Sequence, residues 1–406
     1  MNRVDGAEKG FDPDRLERID RFLAERYIGP GLIAGAQILV AREGEVVHFT
    51  SAGQARATGE PLREDAIFRI ASMTKPITSI AFMMLVEEGR VTLDQPVESV
   101  IPEWAGMGVY EAGGAGIPFV TKRAERPMMM IDLLRHTSGL TYSFQNRTNV
   151  DAAYRERKLE GWHGERDLDS FVAALAEIPL EFSPGTAWNY SVSTDVVGLV
   201  VERVSGVPLD RFFAERIFAP LGMEDTAFHV PAGKLDRLGD AWALREGKGR
   251  VVYDPAVKSA WAVPPRLLAG GAGLVSTTAD YHRFCSMLLN GGTLGEARIV
   301  SRKTIELMTA NHLPGSADLT EMSRSLFSEA INAGQGFGLG FGVNLDPART
   351  MLPGSKGEYY WGGMFSTAFF IDPVERLHMI FMAQLMPSST YPIRRQLKTL
   401  IYSALR

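Results

Sequence analysis

The stretch Phe68-Arg69-Ile70-Ala71-Ser72-Met73-Thr74-Lys75-Pro76-Ile77-Thr78 decides how the rest of the chain is read. Residues three apart on a helix share a face, so the Lys75 amine can reach the Ser72 hydroxyl. Pro76 is comfortable only in a first helical turn, where its missing N–H costs nothing, and this starts the helix near Ser72. In that turn the backbone N–H groups are free and the helix dipole is positive. Both favour the negative oxygen of a tetrahedral acyl intermediate. Ser72 is therefore a candidate nucleophile and Lys75 its activating amine. Downstream, Ile77, Ile80, Ala81, Met84 and Leu85 form an apolar stripe, and Gly89 reads as the helix stop.

Working outward, Asp12-Pro13 reads as an N-cap followed by proline at the first helical position, with Leu16, Ile19, Phe22 and Leu23 on one apolar face through Tyr27. Strand patterns at 36–41 and 45–51 flank the turn Arg42-Glu43-Gly44. From 72 to 289 the pattern is mainly helical, clearest at 193–204, capped by Ser193 and stopped by Gly206, and at 209–218. Strand patterns return at 337–343, 359–371 and 377–385, and a helix at 393–404 closes the chain. The alternation Gly334, Gly336, Gly338, Gly340, Gly342 has period two and predicts a strand with one bare face. The fold class is thus α+β: one antiparallel sheet built from both ends of the chain, flanked by N- and C-terminal helices, with an inserted mainly helical lobe. The expected sheet lobe is 1–80 with 290–406, the helical lobe 81–289, and the site lies in the cleft between them. Polar stretches at 111–116, 142–169 and 314–333 read as surface excursions, some of them lids.

With 406 residues and 45% apolar content the chain can bury a large core, and a net charge of −5 predicts neither a nucleic-acid surface nor a basic membrane patch. No apolar run approaches bilayer length. The first ten residues lack the basic-then-apolar plan of a signal peptide, so a cytoplasmic location is expected. Cys285 is the sole cysteine, which excludes an internal disulfide and predicts a buried small hydrophobe. The seven histidines, His48, His136, His163, His229, His282, His312 and His378, show no metal-binding spacing, so neither a metal nor a cofactor is expected. His136 reads as a structural residue at a helix end. No G-x-S-x-G elbow is present.

Two further stretches carry chemistry. Pro184-Gly185-Thr186-Ala187-Trp188-Asn189-Tyr190-Ser191-Val192-Ser193 places a tyrosine between a Pro-Gly turn and a helix, where its phenol can point into a cleft and exchange a serine proton. Tyr359-Tyr360-Trp361-Gly362-Gly363-Met364-Phe365-Ser366-Thr367 puts paired glycines in a strand pattern, a sign of close approach to the backbone. In this order and spacing, the three motifs resemble those of serine β-lactamases, penicillin-binding proteins and their esterase relatives, above all the family VIII carboxylesterases. Leu133-Leu134-Arg135-His136-Thr137-Ser138-Gly139-Leu140 and Gly270-Gly271-Ala272-Gly273-Leu274-Val275-Ser276-Thr277 extend the resemblance, which runs from about Asp12 to Ala404.

The resemblance implies that Ser72 is acylated, that Lys75 is its partner amine and that Tyr190 is the general base, held partly ionised by Lys75. It implies an oxyanion hole from the N–H groups of Ser72 and Met364, and a substrate edge at Trp361, Gly362 and Gly363, with Trp188 and Val192 nearby. Trp361 stands where the lactamases carry the lysine of Lys-Thr-Gly, and Val192 where they carry the asparagine of Tyr-x-Asn. Both changes weaken β-lactam recognition and favour an uncharged small-molecule ester with an apolar acyl chain. The alternatives are acyl transfer through the same acyl-enzyme, β-lactam or D-amino-acid peptide hydrolysis, and a catalytically silent ligand-binding relative. The sequence leaves the oligomeric state and the choice between Lys75 and Tyr190 as operative base open.

Overall fold

In the computed structural model, which describes residues 3–160, 164–324 and 333–406, Asp12 caps helix α1 (Pro13–Leu23) by accepting a 3.3 Å hydrogen bond from the Arg15 N–H. Strands β1 (Gly35–Arg42) and β2 (Glu45–Gly53) follow as a hairpin. Glu43 and Gly44 both take positive φ in its turn, as a tight hairpin requires. Ser72 lies in a 3₁₀ turn, Ala71–Met73, that runs into α2 (Thr74–Glu87), with Gly89 at φ 69° just beyond its end. Helix α3 (Ser193–Ser205) ends at left-handed Gly206 as expected, but its start differs from the expectation. Val192 is the N-cap, and Ser193 instead shares hydrogen bonds of 2.7 Å with Ser191 and Ser138. Helix α4 (Thr278–Leu289) buries Cys285 completely.

The glycine alternation forms a hairpin rather than one strand: β3 (Gln335–Phe337) pairs antiparallel with β4 (Gly342–Asn344). The turn is forced by contact. A Cβ at Gly338 would lie 2.1 Å from the Met308 carbonyl oxygen, and one at Gly340, whose φ is 94°, would lie 2.2 Å from Ser79 Oγ on α2. Likewise 359–371 divides into β5 (Tyr359–Gly362) and β6 (Ala368–Asp372) around a turn. Strand β7 (Leu377–Ala383) and helix α5 (Ile393–Ala404) complete the chain.

These strands form a seven-stranded antiparallel sheet in the order β3-β4-β5-β6-β7-β1-β2. Both ends of the chain therefore build it, with Ala36 opposite Ala383 and Leu39 opposite Ile380 at the join. Side chains alternate between two cores. Ile38, Val40 and Phe381 pack with Leu16, Ile19, Leu397 and Ile401 of α1 and α5, while Leu39, Ile380 and Met382 pack with Tyr281 and Phe284 of α4.

The middle of the chain is not purely helical. Val109–Gly114 pairs with Ile117–Lys122, so the 111–116 excursion is a hairpin. Ala241–Arg245 pairs with Gly249–Asp254, and Ile67–Arg69, just before Ser72, with Val275–Thr277. The polar stretch 142–169 holds the helix Asn149–Glu156, capped by Thr148, and 314–333 holds the short helix Leu319–Met322. Their segments 161–163, which include His163, and 325–332 lie outside the described residues. Among the described residues no helix is long and apolar enough to cross a membrane.

Candidate active site

Ala71, immediately before Ser72, has φ 45°, a left-handed conformation that a residue with a Cβ adopts only under constraint. The constraint comes from both sides. Ile70 donates its N–H to the Leu274 carbonyl (3.1 Å), and its own carbonyl accepts from Thr367 Oγ1 (3.2 Å). The segment 270–274 is in turn fastened to α2: Thr78 Oγ1 donates to Gly270 O (2.6 Å), and Thr74 Oγ1 accepts from the Leu274 N–H (3.1 Å).

Lys75 is buried beneath Ser72. Its amine is 3.2 Å from Ser72 Oγ, 2.7 Å from Gly271 O and 3.0 Å from the Tyr142 hydroxyl. It also lies 4.6 Å from the centroid of the Tyr190 ring. Burial pushes the ammonium pKa down to about 7, against the opposing pull of Asp195 and Glu160. A neutral amine has two hydrogens and one lone pair, and the three contacts match that valence. Gly271 O and Tyr142 accept, which leaves the lone pair for the Ser72 proton.

The Tyr190 hydroxyl donates to Ser72 Oγ at 2.7 Å. Its loop is held against the 136–141 segment by backbone bonds from Asn189 N to His136 O (2.9 Å), Gly185 N to Thr137 O (2.7 Å) and Val192 N to Thr141 O (3.2 Å). Burial raises the phenol pKa, outweighing the Ser72 hydroxyl and the Trp361 indole, which lower it. The expected partial ionisation of Tyr190 by Lys75 is therefore not what this site produces. Desolvation penalises a phenolate and an ammonium alike, so both groups favour their neutral forms.

An aromatic wall surrounds this pair. Trp188 stacks on Tyr190 with centroids 6.3 Å apart, Trp361 lies 5.4 Å from Tyr190, and Phe337 is 5.5 Å from Trp188 and 5.3 Å from Trp361. Val192 is fully buried at the start of α3. His136 is buried at φ 57° after the helix Met130–Leu134, with Nδ1 3.2 Å from Ser191 Oγ and its ring against Tyr190. Gly363 packs against the turn that presents Ser72: a Cβ there would lie 2.4 Å from Ile70 O and 3.3 Å from Ala71 Cβ. Met364 follows, and among the described residues its N–H has no hydrogen-bond partner.

Sequence reasoning missed several groups. Tyr142 opens a polar stretch and carried no motif of its own. Asp195, buried on α3, accepts from the Gly271 N–H (2.9 Å), on the same residue whose carbonyl accepts from Lys75. Glu160 accepts from the Ser143 N–H (2.6 Å) and Oγ (2.8 Å), and burial pushes its pKa up to about 7. Arg394 reaches the 363–367 turn from α5. Only the Gly270-Gly271 phrase gave any sign of these partners.

A profile of the Beta-lactamase family matches residues 23–402. Esterase EstB of Burkholderia gladioli is 31% identical over 395 residues, covering 91% of this chain and 89% of that protein. The structure of EstCE1, described as a hydrolase with promiscuous acyltransferase activity, superposes with a TM-score of 0.78 at 25% identity, covering 96% of this chain and 99% of that one. The fold of simvastatin synthase LovD from Aspergillus terreus matches with a TM-score of 0.80 at 24% identity, over 96% and 98% of the two chains.

Proposed function

The chain belongs to the Beta-lactamase family, and on that premise we propose that it is a serine hydrolase of carboxylic esters acting through a Ser72 acyl-enzyme. The observation that carries this reading is the bracketing of Ser72 Oγ by the Lys75 amine at 3.2 Å and the Tyr190 hydroxyl at 2.7 Å. Ser72 Oγ attacks the ester carbonyl carbon as its proton passes to the neutral Lys75 amine. The carbonyl oxygen becomes an oxyanion facing the Ser72 and Met364 N–H groups, where each donor contributes about 3–4 kcal/mol. As the C–O bond breaks, Tyr190 gives its proton to the leaving alkoxide and regains one from Lys75. Water then attacks the acyl-enzyme carbonyl, its proton passing to the same pair, which returns one to Ser72 Oγ as the acyl–Oγ bond breaks and the carboxylic acid leaves.

The site occupies the cleft between a sheet lobe, 1–80 with 290–406, and a mainly helical lobe, 81–289, whose last helix, α4, packs on the sheet. Trp361, Gly362 and Gly363 edge the substrate, with Trp188 in the aromatic wall beside them and Val192 behind it. Such a wall suits a small-molecule ester with an apolar acyl chain. Acyl transfer is the second reading, favoured by the likeness to EstCE1, and needs only an alcohol in place of water. β-Lactam hydrolysis remains a side activity, since Trp361 supplies no charge for a carboxylate. The test is hydrolysis of p-nitrophenyl butyrate with mass spectrometry after a serine-directed phosphonate. Labelling at Ser72 and a loss of at least a thousandfold in Ser72→Ala are expected; full activity in that variant sinks the reading.

A further inference from the structure

Gly362 and Gly363 make room for other parts of the protein. A Cβ at Gly362 would lie 2.8 Å from both Cζ and Nη1 of Arg394, and one at Gly363 would lie 2.3 Å from Thr367 Oγ1. Arg394 is the second residue of α5, and its Nη2 donates to Gly363 O at 2.7 Å and to Thr367 O at 2.6 Å. The same two carbonyls already close the turn on itself, Gly363 N to Thr367 O at 2.8 Å and Ser366 N to Gly363 O at 3.1 Å. One guanidinium nitrogen thus bridges both ends of a five-residue turn, and inside that turn sits the Met364 N–H, unpartnered among the described residues. Thr367 Oγ1 fastens the turn to Ile70, two residues before Ser72.

We propose that Arg394 is a positioning residue for ester hydrolysis: by bridging the Gly363 and Thr367 carbonyls it aims the Met364 N–H, so that this donor and the Ser72 N–H converge on one oxyanion. This rests on the serine-hydrolase reading above. An oxyanion hole works because its donors are already oriented when charge develops, so the turn that carries Met364 must hold one orientation. A planar guanidinium with fixed N–H directions supplies it, as a flexible ammonium does less well. Burial pushes the Arg394 pKa down to about 9, with Tyr190 opposing the shift.

The experiment compares p-nitrophenyl butyrate with its thionoester, in which sulfur replaces the oxygen that enters the hole, using the full-length protein. The unmodified protein should prefer the oxo ester strongly. In Arg394→Met, kcat for the oxo ester should fall 10- to 100-fold with KM within twofold, and the oxo/thiono ratio should fall at least tenfold. Arg394→Lys should recover part of the ratio. An unchanged ratio in Arg394→Met, or a loss confined to KM or to the folded fraction, overturns the proposal. If Arg394→Met does not fold, Arg394→Lys decides: a several-fold drop in the ratio supports the assignment and an unchanged ratio overturns it. Ser72→Ala run alongside separates the two claims, because retained hydrolysis there refutes the underlying reading, whereas a dead Ser72→Ala beside an unaffected Arg394→Met refutes only the role of Arg394.

Discussion

The Tyr142 hydroxyl lies 3.0 Å from the Lys75 amine, so a second phenol, besides that of Tyr190, joins the cluster around Ser72. Tyr142 accepts from the amine and stacks on Phe144 at 4.8 Å, which fixes the direction from which it does so. In Tyr142→Phe the amine loses one of its two acceptors and its lone pair is no longer aimed at Ser72. A loss of about 1–1.5 kcal/mol, or about tenfold in kcat, is expected. Steady-state kinetics with thermal melting separate this from misfolding.

Activity should follow the charge on Lys75. The amine accepts the Ser72 proton only when neutral, and its pKa stands at about 7, so kcat/KM should fall as pH drops through that value. Asp195 and Glu160 are the facing carboxylates that raise it. Asp195→Asn keeps an acceptor for the Gly271 N–H and removes a charge. The acid limb of the profile should then move to lower pH by about half a unit to one unit. A shift to higher pH, or none, would show that another group governs the limb.

Arg69 is fully buried three residues before Ser72. It ion-pairs with Asp254, which also accepts from Ser259, and donates to Gly239 O at 2.9 Å and Gln384 Oε1 at 3.1 Å. Arg69→Met strands the Asp254 carboxylate in the interior, at a cost of about 3–5 kcal/mol. Urea unfolding should show a lowered midpoint, and Asp254→Leu added to Arg69→Met should restore much of it.

Gly340 offers a backbone test. Its φ of 94° and a Cβ position 2.2 Å from Ser79 Oγ and 2.7 Å from Ser79 Cβ leave alanine neither a conformation nor a space. Gly340→Ala should destabilise the protein by about 2–4 kcal/mol, read as a lowered melting temperature.

The sequence made the ends of the chain legible because their signals are local: Asp12-Pro13 caps a helix, Glu43-Gly44 turns a hairpin, and Pro76 pins the start of α2. It also brought Ser72, Lys75 and Tyr190 forward, by motif and by resemblance, and the structure finds the three within hydrogen-bonding reach. What it hid depends on distant contacts. The 337–343 pattern has the period of a strand, yet Met308 and Ser79, far away in sequence, fold it into a hairpin. Ser193 has the composition of a cap, but Ser138 and Ser191 claim its hydroxyl. The protonation of Tyr190 follows from burial, which no spacing of residues expresses. Tyr142, Asp195 and Arg394 act through partners at Lys75, Gly271 and Gly363, and nothing beside them in the chain announces those roles.

Strand β1 sits between β2 and β7, so its second neighbour is synthesised more than 300 residues after it. On the ribosome, β1 presents an unpaired edge and an apolar face for nearly the whole of translation. The bond from Thr367 to Ile70, just before Ser72, must wait as well. A chain released before residue 363 would carry every residue of the Ser-Lys-Tyr trio and still lack the turn opposite it. Until β7 arrives, that waiting edge is the kind of unpaired strand on which another chain can add.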